Sequence, residues 1–153
     1  MATWGAFERA APELAANGRR LLYRGETGAG FLGTVRKDGG PRVHPIFPIL
    51  ADGELFGFIV NLGWKYHDLV RDGRYALHSF PSAEGGEEFY VTGRAVLVTD
   101  AGRRARVVAA TEDRQGKADF EALFAFDIER ALHTQWANWG TPETWPTFTK
   151  WGG

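Results

Sequence analysis

Residues 31–80 read FLGTVRKDGG PRVHPIFPIL ADGELFGFIV NLGWKYHDLV RDGRYALHSF, and this stretch decides the fold. FLGTVR alternates as a strand does, with Phe31, Gly33 and Val35 on one face and Leu32, Thr34 and Arg36 on the other. The turn formers Lys37-Asp38-Gly39-Gly40 close it. An apolar run from Pro41 to Leu50 follows and ends at Ala51-Asp52-Gly53, and a third run spans Leu55 to Val60. Asp and Gly adopt the backbone angles of tight hairpins, so these three strands read as a meander. Trp64–Arg71 predicts a helix of about two turns, and Arg74 to Phe80 a fourth strand.

Pro45 and Pro48 lie inside the second strand. Proline cannot donate to a β-ladder, so such a strand sits at an edge, carries a bulge or turns its backbone away from a neighbour. Two readings stay open: backbone groups freed for a ligand, or an edge protected against aggregation. Lys65 stands at the predicted helix start, where unpaired N–H groups and the helix dipole favour a phosphate. A solvated surface lysine is the plainer reading of that residue taken alone.

Upstream, Trp4 to Tyr23 predicts helix, with Pro12 starting a second helix because its ring clashes inside one. Gly25 and Gly28 to Gly30 approach the first strand. Downstream, Ala83 to Glu88 is a Gly/Glu loop, and Phe89 to Val98 is a long strand with Phe89, Val91, Gly93, Ala95 and Leu97 on one face. Asp100 is the expected N-cap of a helix running to about Thr111, with arginines 103, 104 and 106 on a solvated face. Leu123 to Trp136 predicts a sixth strand, and a helix over Asp127 to His133 is the alternative. The tail from Trp136 to Trp151 holds four tryptophans among Gly, Pro and Thr. It is expected to pack as an irregular flap over its own barrel or a partner subunit.

With 153 residues and no linker, the chain reads as a single domain, 1–153, with an N-terminal helical segment (1–24) and an aromatic tail (137–153). A net charge of -1 gives no reason to expect nucleic acid. Cysteine is absent, which removes disulfides and thiolate chemistry. No apolar run is long enough for a membrane helix and no signal peptide is recognisable, so a cytoplasmic location is expected. Histidines 44, 67, 78 and 133 have no metal-ligand spacing, and no metal site is expected. No nucleophile elbow, Walker or dinucleotide motif occurs, and no catalytic residue can be nominated. An enzyme built on this chain would rely on a cofactor.

The succession GTVRKDGGPRVHPIF, KYHDLVRDGRYALH and EEFYVTGRAVLV resembles the pyridoxamine 5'-phosphate oxidase-like family of FMN-binding split β-barrels over roughly residues 28 to 100. The resemblance implies a mainly β fold with flanking helices, a six-stranded Greek-key split barrel, and a homodimer holding the flavin between subunits. By position, Arg42, Val43, His44, Pro45, Ile46 and Phe47 match the strand that runs along the isoalloxazine ring. Lys65 matches the lysine that grips the FMN phosphate, and Asn61 the polar residue near the ribityl chain or phosphate. Trp64 falls within the same segment, and Trp136 and Trp139 are placed to close the cleft from the other subunit. Gly93-Arg94 is a structural landmark of the long strand. The segment Leu62-Gly63-Trp64-Lys65-Tyr66 lacks the family's Ser/Thr-Arg pair, which leaves Lys65 and the helix start as the main phosphate contacts, helped by Arg36 or Arg42.

The function implied is an FMN-dependent oxidoreductase acting on a small organic substrate, with the deazaflavin F420 or haem as alternative cofactors. A non-catalytic flavin, F420 or haem binding or storage protein, and a cofactor-free dimeric scaffold, are the competing readings. Fold resemblance alone does not separate them.

Overall fold

The computed structural model describes residues 1–82 and 84–153; Ala83, at the start of the expected Gly/Glu loop, lies outside the described residues. The elements run α1 (Trp4–Ala10), α2 (Pro12–Leu22), β1 (Gly30–Val35), β2 (Pro41–Ile46), β3 (Ile49–Ala51), β4 (Glu54–Val60), α3 (Trp64–Arg71), β5 (Arg74–Ser79), β6 (Glu87–Leu97), α4 (Ala101–Ala110), β7 (Glu121–Ala137) and β8 (Trp145–Gly152). Pro12 opens α2 at its first turn, and Asp100 caps α4 by accepting the Arg103 N–H at 2.5 Å.

Among the described residues eight strands, not six, form one antiparallel sheet in the order β2-β1-β5-β6-β7-β4-β3, with β8 paired to β7. The expected meander is also corrected. The run from Pro41 to Leu50 is two strands, broken at Phe47-Pro48, and β2 pairs only with β1 while β3 pairs with β4. The two edges of the sheet are therefore joined through two residues, which bends the open sheet round towards itself. Pro45 sits on the outermost strand, where a missing N–H costs least.

Tyr23, at the end of α2, bridges the break. Its hydroxyl donates to the Pro48 carbonyl at 2.9 Å and accepts the Leu50 N–H at 2.7 Å. Burial pushes the phenol's pKa up, although the Leu50 N–H and Arg19 act against this. Tyr23→Phe should leave both backbone groups unpaired and cost about 1–3 kcal/mol. Equilibrium urea unfolding reads this; an unchanged midpoint would show that water replaces the hydroxyl freely.

The main core lies between the N-terminal helices and the inner sheet face, where Trp4, Phe7, Leu14 and Leu22 meet Phe89, Phe124, Phe126 and Ile128. A second cluster of Ile49, Phe56, Val107, Leu123 and Ala125 fills the space under α4. The first half of β7 is thus buried on both faces, which explains its unbroken apolar run Leu123-Phe124-Ala125-Phe126.

The helical alternative for Asp127 to His133 is not adopted: β7 continues as strand, but with a bulge. Thr92 pairs with Arg130 and Gly93 with Ile128, leaving Glu129 as the extra residue. At the bulge, Ile128 exchanges backbone hydrogen bonds with Ala2 (2.8 and 2.7 Å), so the N-terminus seals what the kink opens. The tail is not an irregular flap. Trp145–Gly152 forms β8 against β7 from Arg130 to Ala137, because Asn138 and Gly140 take positive φ and turn the chain back.

The arginines of α4 are only partly solvated. Arg103 pairs with Glu54 and lies over the Phe56 ring (5.3 Å). Arg104 donates to the carbonyls of Glu121 (2.6 Å) and Gly116 (2.8 Å) and covers Phe58 (5.1 Å). Only Arg106, 3.5 Å from an exposed Asp52, matches the solvated expectation.

Candidate functional site

The β1–β2 hairpin places Thr34 opposite Arg42, and α3 packs beside this pair with Leu69 anchored in the core. One turn into α3, Asp68 is buried, 3% exposed, and becomes the hub of the region. Its Oδ2 accepts from Thr34 Oγ1 and Arg42 Nε, both at 2.8 Å, and its Oδ1 accepts from an Arg71 guanidinium nitrogen at 3.2 Å. The same Arg71 nitrogen also donates to the Val35 carbonyl. Burial opposes ionisation of Asp68, but the hydrogen bonds from Arg42, Thr34 and Arg71 outweigh it and hold the carboxyl below its usual range. Two guanidiniums are thereby fixed at the mouth of the hairpin.

Lys65 points elsewhere on the helix. It is half-buried, has no carboxylate within ion-pair distance among the described residues, and its pKa is lowered by desolvation. His44, next but one after Arg42 on β2, is lowered first by burial and then by the charges of Lys65 and Arg42. Its Nε2 is buried with no hydrogen-bond partner among the described residues. Gly63 caps α3 without a side chain, so the N–H groups of the first turn have no side-chain acceptor. A half-buried ammonium, an orphan imidazole nitrogen and an uncapped helix start thus lie close together at the β2–α3 junction.

The other expected site residues divide in three. Val43 (64% exposed) and Pro45 point outward along β2, Phe47 (58% exposed) is exposed just beyond it, and Trp64 (73% exposed) stands over the Arg42 guanidinium at 5.9 Å. The Ile46 side chain is buried in the core, and its backbone lies on the edge strand. Asn61 opens the loop before α3, half-buried, with its N–H donating to the Phe120 carbonyl at 2.8 Å. Trp136 and Trp139 pack edge-to-face at 5.4 Å, with Trp139 against Gly85. They are not brought to Lys65 within one chain. Thr34 pairs through Tyr75 to Gly93, whereas Gln135 pairs with Glu87. Six strand residues separate these positions, about 20 Å.

A scan against family models matches residues 21–139 to the pyridoxamine 5'-phosphate oxidase model. The chain belongs to the pyridoxamine 5'-phosphate oxidase family. The match leaves out α1, all but the last two residues of α2, and the whole of β8. A search of the curated proteins finds no match. Among solved structures, the fold is similar to a Clostridium acetobutylicum protein related to general stress protein 26 of the pyridoxinephosphate oxidase family (11% identity, TM-score 0.63, 86% of this chain and 92% of that one). It is also similar to HutZ, the haem storage protein of Vibrio cholerae (16%, TM-score 0.62, 78% and 89%). A third is a haem-binding protein from Mycobacterium smegmatis (17%, TM-score 0.60, 84% of this chain and 56% of that one). At these identities the likeness concerns the fold.

Within this pyridoxamine 5'-phosphate oxidase family domain, Thr34, Asp68 and Arg71 escaped the sequence reading. The i,i+3 spacing of Asp68 and Arg71 was visible, but their convergence on Arg42 needs the hairpin docked on α3. No three His, Asp or Glu side chains gather for a metal among the described residues. No helix described is long and apolar enough to cross a membrane.

Acid should test the hub. Asp68 is depressed by the contacts above, Glu87 chiefly by Arg20, and Asp72 chiefly by Arg74 to about 2. Each contributes stability that is full above its unfolded pKa of about 4 and is lost as pH falls through the lower folded value. Arg74 is mostly exposed, so Asp72 contributes little. Tm should therefore fall between about pH 4 and 2, and less steeply in Asp68→Asn. A flat Tm across that window would refute the assignment.

Proposed function

We propose that this chain is a flavin-dependent oxidoreductase that binds FMN at the β2–α3 junction and passes hydride to or from a small organic molecule. The reading rests on one observation: a half-buried Lys65 with no carboxylate partner among the described residues, beside the orphaned His44 Nε2 and at an uncapped helix start. These groups fit a phosphate ester. FMN, when bound, supplies a ring that accepts and releases hydride. Lys65 and the first-turn N–H groups of α3 hold the phosphate, and Arg42, kept in place by Asp68, adds a second charge. The outer edge of β2, without a ladder partner, offers its backbone along the ring.

The cofactor cleft is completed by a second copy. Pro45, Phe31, His78, Tyr90 and Leu132 form one row across β2, β1, β5, β6 and β7. His78 and Tyr90 stack at 6.2 Å and Phe31 packs on Phe80 at 4.5 Å. A row this apolar on an outer sheet face suits an isologous dimer, and it would let Trp136 and Trp139 of one subunit reach the other's site. Light scattering at the monomer mass would overturn this.

Haem storage is the second reading. A neutral imidazole with a free nitrogen is the form that ligates iron, and burial and then the Lys65 charge lower the His44 pKa, which favours that form. The deciding experiment is an absorbance titration of the purified protein with FMN, F420 and haemin. A flavin or deazaflavin band saturating at one per subunit supports the oxidoreductase. A Soret band lost in His44→Ala supports haem. No binding at all would leave a cofactor-free scaffold.

A further inference from the structure

On α3, Trp64, His67, Asp68 and Arg71 recur at i, i+3, i+4 and i+7, so they share one face, whereas Lys65 lies about 100° further round. That face meets the proposed phosphate position at Arg42, whose guanidinium lies between Trp64 and Asp68. The same face forms one wall of a cleft of about 580 Å³, whose other wall is the β1–β2 turn with Arg36, Lys37 and Arg42. The volume is in the range of small-ligand sites.

The lining has an uneven composition. Four cationic side chains face two carboxylates, and one of these, Asp68, is buried behind the guanidiniums it orients. Asp38 is engaged by Arg36 at 2.7 Å and by the Gly40 N–H at 2.9 Å. Lys37 has no carboxylate partner among the described residues. Arg71 is tied back to Val35 and Asp68, which sets its remaining N–H groups towards the cleft. Beside these charges Trp64 leaves most of its indole in solvent, an arrangement that apolar burial alone would not maintain.

We infer that this cleft is a nucleotide site: a base stacks on Trp64 and its phosphate lies among Arg36, Lys37 and Arg71. An indole platform answers a flat aromatic ring, and guanidiniums in a fixed array answer a phosphate dianion. Both requirements met within one cleft select a nucleotide over inorganic phosphate or a simple carboxylate. The cleft shares Arg42 with the flavin reading, but Lys65 does not line it, so Lys65 tells the two sites apart.

The test titrates the full chain with AMP, adenosine and inorganic phosphate by calorimetry, following tryptophan fluorescence in parallel. AMP should bind once per chain, at least about tenfold more tightly than adenosine or phosphate alone, because stacking and charge contribute together. Its fluorescence quench should vanish in Trp64→Phe. Lys37→Ala, at an exposed turn remote from the core, should weaken AMP about tenfold, and Lys65→Ala should leave AMP unchanged while weakening FMN. Equal affinity for phosphate and AMP would overturn the base contact. Equal affinity for adenosine and AMP would overturn the cationic wall. Competition of FMN with AMP would assign the cleft to the flavin instead, and absence of saturable AMP binding would remove the site.

Discussion

Lys65→Ala should weaken FMN binding by about 10- to 150-fold, the equivalent of about 1.5–3 kcal/mol for a lost charge-assisted contact. The size follows from where the ammonium sits. It is half-buried and lacks a protein counter-ion among the described residues, so a phosphate would be its principal partner. Removing it should also spare the fold, because among the described residues no side-chain hydrogen bond or ion pair depends on it. Arg42 would be a poorer choice, since its loss takes a donor from the buried Asp68 and mixes binding with stability. Fluorescence titration of wild type and variant, with Tm as the control, measures the effect. Equal affinities at equal Tm would remove Lys65 from the site.

Gly93→Ala should be the most destabilising single methyl addition in the sheet. A Cβ there would stand 1.9 Å from the Asp127 carbonyl oxygen and 2.9 Å from its carbon. Both atoms are backbone in the bulged strand, so neither can swing aside, and the chain would have to surrender the bulge. Overpacking of this kind costs about 3 kcal/mol, a fall in Tm of about 6–12 °C for a domain of this size. Gly33→Ala is the matched control, because its Cβ would meet Ala76 at an ordinary 3.6–3.7 Å. If the two variants melted together, the close approach at the bulge would not be what the glycine serves.

Gly93 also shows how far the sequence reading extended. As a landmark in a long strand it could be recognised, but its physical purpose lies in Glu129, the unpaired residue opposite, thirty-six positions along the chain. The same holds for the arginines of α4. A helix with Asp100 at its N-cap follows from local preferences, and α4 begins there. That Arg103 and Arg104 would turn inward over Phe56 and Phe58 depends on β4, which approaches only after folding.

What the amino-acid sequence determined by itself was the punctuation: where α2 starts at Pro12, where Asp-Gly and Gly-Gly turns reverse the chain, and where Lys65 meets a helix start. These are properties of neighbouring residues, governed by backbone sterics and short-range hydrogen bonds. Only the tertiary structure decided that one apolar run would become β2 and β3 at opposite edges of the sheet, that the tryptophan tail would zip onto β7, and that Asp68 would gather Thr34, Arg42 and Arg71. Each of these depends on partners distant in sequence, and a strand's pattern of alternation says which face is buried without saying which strand it will meet.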